Sequence, residues 1–398
     1  MHLIAEGDLW KGGVQFTRFQ TPKGFRDLSP DDVKKYLYVE KSFRETFELW
    51  GYREVRTSTV DYFDIIRGGA GEGFADSIFK VQDSDGRLLS MRGEVTTQIA
   101  RMLVSKAREE GRLFYITNCI RFMEVKSLSQ REFWQAGAEL VGGREVEADA
   151  EVIALSLGAL ESIGIREASV DVGNVELLKR VAERFGIGEF DALKRAVASK
   201  SLGDLKRVTP DEKAQEAFSH IMTKRGGPDV VTELSRMVGG ATEGYADYFE
   251  ELFGLLKTYG CADKVRVDLS TLREEMKYYN GTVFEIFLGG LGVPIGGGGR
   301  YDAMMKEFGL VDTRATGFAM SVDLCVKALE ASGFDFEGSR VPTTILYCDG
   351  FRDKAIRLAC EARRKGSACT VEKYNGQREG IAVGREIVDL KTGKRYAP

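Results

Sequence analysis

The sequence predicts an α+β fold that carries a helical insertion and ends in a small α/β unit. Three observations lead there. Two β-rich runs, residues 113–122 and 131–141, follow one another, and the second alternates strictly. Apolar residues at helical spacing recur over 31–50 and 147–163. From 188 to 260 strand signals nearly vanish, while charged helical patterns continue between the breaks Gly226-Gly227-Pro228 and Gly239-Gly240.

Pro22-Lys23-Gly24-Phe25-Arg26-Asp27 reads as a turn-like entry. Val33, Leu37, Phe43, Phe47 and Trp50 then define a helix that Gly51 stops. The β-branched and aromatic residues of 55–63 predict a strand, and the glycines of 68–73 a flexible loop. That loop is no P-loop, because no lysine and hydroxyl close it. A short strand at 88–91 leads through Arg92-Gly93-Glu94-Val95-Thr96 into a helix at 97–107. In the alternating strand 131–141, Phe133, Gln135, Gly137 and Glu139 share one face, and Trp134, Ala136, Ala138 and Leu140 the other. Gln135 and Glu139 stand about 13 Å apart by strand rise. Gly137 between them is expected to leave ligand space. A buried carboxylate needs a cation or donors, so Glu139 fits a site for an ammonium group.

After a helix at 147–163, a strand at 168–172 and a helix at 175–185, the insertion returns to the sheet near 265–269. Tyr278-Tyr279-Asn280-Gly281 and Gly296-Gly297-Gly298-Gly299-Arg300-Tyr301-Asp302 then read as the floor of a small polar-ligand site, with glycines allowing close backbone approach. The last unit reads strand 342–347, helix 353–365, strand 367–372 and a further strand at 380–388. The domains expected are residues 1–330, including the insertion at 188–260, and residues 341–398.

Composition narrows the function. The 398 residues, 43% apolar and 30% charged, describe a globular chain, and a net charge of -4 argues against a broad nucleic-acid surface. With no 18-residue apolar run, no membrane partner is expected. Residues 1–19 resemble neither a secretory signal nor a transit peptide, which points to the cytoplasm. Six scattered cysteines predict reduced thiols, and two distant histidines argue against a catalytic triad or a zinc cluster; no metal and no cofactor are expected.

Four motifs taken in order resemble a known family. They are Pro22 to Asp27, the Arg92 to Thr96 turn, Arg121 with the Arg131 to Leu140 strand, and the tyrosine and glycine block. Over 21–330 the chain resembles the catalytic domain of histidyl-tRNA synthetase. It is still more similar to the regulatory subunits of short-form ATP phosphoribosyltransferase, which are synthetase paralogues; Asp171-Val172-Gly173-Asn174-Val175-Glu176-Leu177-Leu178 has the regulatory flavour. The resemblance implies a class II aminoacyl-tRNA synthetase-like fold, an antiparallel sheet flanked by helices and dimerised through its first motif. It implies histidine-binding positions at Glu94, Thr96, Gln135, Glu139, Tyr278 and Tyr279, and residual anion-binding positions at Arg92, Arg121 and Arg300.

Departures from the synthetase pattern set the expected chemistry. The histidine-specific arginine falls at Glu274, the last-motif arginine at Leu324, and Glu124 sits one place beyond the usual acidic partner. Ser58 and Gly93 replace prolines. Losing one transition-state cation costs about 3 kcal/mol, or roughly a hundredfold in rate. The resemblance therefore implies no catalytic residues here, and no tRNA partner. It implies a regulatory subunit that binds L-histidine and partners the short catalytic phosphoribosyltransferase in the first step of histidine biosynthesis. Arg92, Arg121 and Arg300 keep open a divergent histidyl-tRNA synthetase or related adenylating enzyme. A non-allosteric scaffold with a vestigial pocket is the third reading.

Overall fold

The computed structural model describes residues 20–106, 110–122, 130–209, 211–273, 276–336, 343–347, 350–373, 387–388 and 395–396. Glu124, Glu274, Cys348, residues 1–19 and most of the strand expected at 380–388 lie outside them. The chain divides into two compact units, Met1–Phe334 and Asp335–Pro398.

Helix α1 (Pro30–Leu49) starts at a capping box: the Ser29 hydroxyl accepts from Asp32 N, and the Asp32 carboxylate accepts from Ser29 N. Pro30 sits in the first turn, where its missing N–H is an orphan in any case. Next come β1 (Arg53–Glu54), β2 (Val60–Tyr62), α2 (Phe63–Ala70), α3 (Glu72–Ala75), β3 (Lys80–Gln82), β4 (Leu88–Met91) and α4 (Thr96–Ser105). The strand expected at 55–63 is thus only three residues long. The glycine loop expected at 68–73 is helical, because Ile66 and Ala70 bury one face in the core. Only Gly71, at φ 92°, breaks α2 from α3, and Lys277 packs over it.

Strands β5 (Gly111–Ile120) and β6 (Glu132–Val141), both expected as strands, pair antiparallel, followed by α5 (Glu145–Ser162), β7 (Ala168–Asn174) and α6 (Val175–Arg184). The stretch with helical texture holds α7 (Phe190–Ala198), α8 (Leu202–Val208), α9 (Glu212–Thr223), α10 (Asp229–Val238) and α11 (Tyr245–Thr258). The unit closes with β8 (Val265–Val267), β9 (Thr282–Leu288), β10 (Pro294–Arg300), α12 (Asp302–Glu307), β11 (Ala315–Ser321) and α13 (Val322–Ala331).

Eight strands pair in the order β1-β5-β6-β11-β10-β9-β7-β8. The inner pairs are antiparallel, but both edge pairs, β1 with β5 and β7 with β8, are parallel. The glycines of β10 are a packing requirement. A Cβ on Gly298 would stand 1.9 Å from the Gly317 carbonyl oxygen, and one on Gly296 2.4 Å from that of Ala319. Helix α5 supplies the core on one side, with Val152, Ile153, Leu157 and Leu160 buried. The N-terminal motif is tied down at Asp323, whose carboxylate accepts from Arg26 (2.7 Å), the Tyr36 hydroxyl (2.6 Å) and Trp134 N (2.6 Å).

In the second unit β12 (Thr343–Tyr347) pairs parallel with β13 (Cys369–Lys373), and α14 (Arg352–Arg364) lies between them in sequence. Ile345, Ala355, Ala359 and Cys369 make its core. β14 (Ile387–Val388) pairs with β15 (Arg395–Tyr396). Among the described residues no helix is long and apolar enough to cross a membrane.

Candidate functional site

A cavity opens between the start of α4, the middle of β6 and the segment before β9. Glu94, Thr96, Gln135, Glu139, Tyr278 and Tyr279, the six residues singled out from sequence, all line it together with Arg121.

Glu94 stands just before α4, and its carboxylate accepts from Thr97 N at 3.0 and 3.2 Å, satisfying an orphan N–H of the first turn. It is only 3% exposed, and burial pushes its pKa up. Glu139 is 1% exposed and accepts from the Thr96 hydroxyl (2.8 Å) and the Tyr301 hydroxyl (2.6 Å). Burial pushes its pKa up to about 8; the two hydroxyls pull the other way, and Glu94 adds a further upward push. The cavity thus holds two desolvated carboxylates, and the positive charge of Arg121 partly offsets the burial of Glu94. Tyr278 packs edge-on against Tyr279 (4.7 Å between ring centroids) and Tyr301 (5.8 Å).

Two guanidiniums share the cavity. Arg121 donates to the Gly93 carbonyl (2.7 Å) and lies over the rings of Phe74 and Phe133 at 5.0 and 5.3 Å. Arg273, which sequence reasoning passed over, lines the same space 5.9 Å from the Tyr279 ring centroid. The cation expected to be lost at Glu274 therefore has a counterpart one residue earlier. Its backbone is left-handed (φ 47°), an uncommon state for a non-glycine residue, and Gly297 makes way for its head: a Cβ there would lie 2.3 Å from Nη1.

Glycines on the sheet shape the rest. A Cβ on Gly317, the β11 partner of Glu139, would stand 1.8 Å from the Glu139 carboxylate. The space next to Gly137 is filled by the protein itself. Tyr115, its cross-strand partner on β5, puts its hydroxyl 2.5 Å from where that Cβ would be, and donates to the Gln135 side-chain oxygen Oε1 at 3.3 Å. The ligand space expected beside Gly137 is therefore a tyrosine slot, and the register of β5 against β6 decides it.

Two of the three proposed anion-binding arginines do not line the cavity. Arg92 is buried and donates to the Asn118 backbone and side-chain oxygens (2.9 and 2.8 Å) and to the carbonyls of Thr57 and Ser58 (3.2 and 3.4 Å). Arg300, 3% exposed, holds Asp149 at 2.8 Å, Asp302 at 3.3 Å and the Glu145 carbonyl at 2.6 Å on the α5 side of the sheet. Burial opposes its charge, but Asp149 and Asp302 outweigh that and raise its pKa. Both arginines hold elements together. Arg300 ends β10, whereas its neighbour Tyr301 is the N-cap of α12 and bonds Glu139. Leu324 contributes an apolar side chain to the first turn of α13 and is not among the cavity residues.

A buried pair of carboxylates facing a pair of guanidiniums suits a small zwitterion carrying further hydrogen-bonding groups. Such a cavity on an antiparallel sheet with parallel edges defines a class II aminoacyl-tRNA synthetase-like protein. The histidyl-tRNA synthetase family model matches residues 24–324. The ATP phosphoribosyltransferase regulatory subunit of Ruminiclostridium cellulolyticum is 32% identical over 358 residues, 87% of this chain and 85% of its own. The histidine–tRNA ligase of Pyrococcus furiosus is 34% identical over 366 residues, 88% of this chain and 84% of its own. A crystal structure described as an ATP phosphoribosyltransferase regulatory subunit/histidyl-tRNA synthetase from Bacillus halodurans superposes with a TM-score of 0.81 at 29% identity, covering 92% of this chain and 96% of that one. The chain belongs to the family of histidyl-tRNA synthetases and ATP phosphoribosyltransferase regulatory subunits.

Proposed function

We propose that the chain is the non-catalytic regulatory subunit of a short-form ATP phosphoribosyltransferase, acting in histidine biosynthesis. It activates the catalytic partner and makes it sensitive to feedback by L-histidine. The observation that carries this reading is a cavity equipped for an amino acid; the resemblance to the synthetase, which puts Leu324 where that family has an adenylation cation, supports it. Relatives named as regulatory subunits, at 29% to 32% identity and covering 87% to 96% of this chain, support it. In this reading the histidine ammonium group lies against Glu94 and Glu139, its carboxylate against Arg121 and Arg273, and Gln135, Thr96, Tyr278 and Tyr279 orient the remaining polar atoms. Feedback requires that histidine bind two states of the assembly with unequal affinity.

Self-association as a dimer is part of the proposal. Val60, Tyr62 and Val81 are exposed; Tyr62 and Val81 flank Leu89 on one face of the small sheet β2-β4-β3, and exposed Phe122 packs on Phe79 beside it. An apolar sheet face of that kind supports an interface.

Arg121 and Arg273 together favour a second reading, a histidine-adenylating enzyme. Reconstitution with the catalytic partner separates the two. Phosphoribosyl transfer that is raised by the chain and inhibited by histidine only in its presence is the expected result. Unchanged transfer, with robust histidine-dependent exchange of pyrophosphate into ATP by the chain alone, would overturn it.

A further inference from the structure

Behind the cavity lies a buried polar chain that the ligand site does not use. Arg300 and Tyr301 are consecutive, yet Tyr301 donates to Glu139 in the cavity while Arg300 reaches Asp149 on α5. Asp149 Oδ2 has two donors. Arg300 Nε stands at 3.3 Å, and the Tyr248 hydroxyl, from α11, at 2.5 Å. The Tyr248 oxygen in turn pairs with the Thr282 hydroxyl at 2.7 Å, and Asn174 Nδ2 donates to Thr282 at 3.4 Å. Since a carboxylate only accepts, the order of donors is fixed: Asn174 to Thr282, Thr282 to Tyr248, Tyr248 to Asp149. Arg300 by itself gives Asp149 a bidentate partner, so the ion pair does not need the tyrosine for satisfaction.

We propose that the chain of contacts Tyr301, Arg300, Asp149 and Tyr248 couples occupancy of the cavity to helix α11, which makes the helical insertion the element that reports bound ligand to the rest of the assembly. This rests on the reading that the cavity binds histidine. An arriving ammonium group shares the Glu139 carboxylate with Tyr301, draws its negative charge and so changes the seat of the Tyr301 hydroxyl. Tyr301 is the N-cap of α12 and continues directly from Arg300, and a shift there changes how Arg300 Nε and Tyr248 share Asp149 Oδ2. Tyr248 also lines an open cleft with Arg144, Arg180 and Arg314, so the far end of the chain of contacts meets the surface. The coupling is short, and every link in it is a named contact or a covalent bond.

The test uses the full chain, L-histidine and the variant Tyr248→Phe, with Tyr245→Phe as a control on the same helix. Hydrogen exchange on adding histidine should slow at residues 94–98 and 135–139 and change at 245–258 in the wild type. In Tyr248→Phe the cavity response should persist, with histidine affinity within threefold, while the α11 response disappears. In the reconstituted assembly the histidine concentration for half inhibition should rise tenfold or more for Tyr248→Phe and stay unchanged for Tyr245→Phe. Thr282→Val, which removes the hydroxyl behind Tyr248, should act in the same direction if Tyr248→Phe folds poorly. A wild-type α11 response and inhibition in both Tyr248→Phe and Thr282→Val overturn the inference, and so does loss of the cavity response together with that of α11. Absence of any cavity response in the wild type instead defeats the histidine reading itself, and the coupling with it.

Discussion

Glu139→Gln should stabilise the unliganded chain, and by an amount that grows with pH. The folded protein holds Glu139 near a pKa of about 8, against 4.5 for the free side chain. A carboxyl with a raised folded pKa keeps its proton in the folded state longer than in the unfolded one, so stability falls as pH rises between the two values. At 1.36 kcal/mol per pKa unit, the penalty for burying this group is about 1 kcal/mol at pH 5, about 3 at pH 7 and nearly 5 at pH 9. Glutamine has the same shape and no charge to desolvate. Its carbonyl accepts one of the two hydroxyls now bound to Glu139, and the other hydroxyl can turn to accept from its amide. Urea unfolding of both proteins at pH 5, 7 and 9 measures the gap. The variant should gain about 1 to 5 kcal/mol across that range, mostly above pH 6. A stability difference that does not change with pH would refute the electrostatic account of the cavity.

The same carboxyl predicts that histidine binding releases up to about three-quarters of a proton at pH 7.5, with affinity rising from pH 6.5 to 8.5; calorimetry in buffers of different ionisation enthalpy reads both. Arg273→Ala should weaken histidine binding by roughly 10- to 150-fold, the worth of a charge-assisted hydrogen bond, and equal affinities would remove Arg273 from the site. Gly317→Ala should lower stability by ~2–3 kcal/mol in thermal or urea unfolding, because its Cβ meets both the Glu139 carboxylate and the Ala138 carbonyl. Arg300→Ala should lower stability by ~3–5 kcal/mol by leaving Asp149 buried and uncompensated, and a near-neutral result would argue against its role as an internal ion-pair partner.

The sequence by itself determined which elements form and which residue types gather. Helical spacing placed α1 and α5, strict alternation placed β6, and the order of motifs brought Glu94, Thr96, Gln135, Glu139 and the two tyrosines to one cavity. Those signals are local: a period of 3.6 or 2 is written within ten or twenty residues. Only the tertiary structure decided what fills the space each glycine leaves. Gly137 admits Tyr115, Gly297 admits Arg273 and Gly317 admits Glu139, each through contacts between segments remote in sequence. It also decided the fate of the arginines. Arg300 and Tyr301 are neighbours in the chain, yet one ends β10 and holds α5 while the other caps α12 and holds the Glu139 carboxylate. Arg273 enters the cavity from a left-handed turn that no periodicity announces. Pairing register and side-chain direction across distant segments are fixed by packing, and packing exists only once the chain has folded.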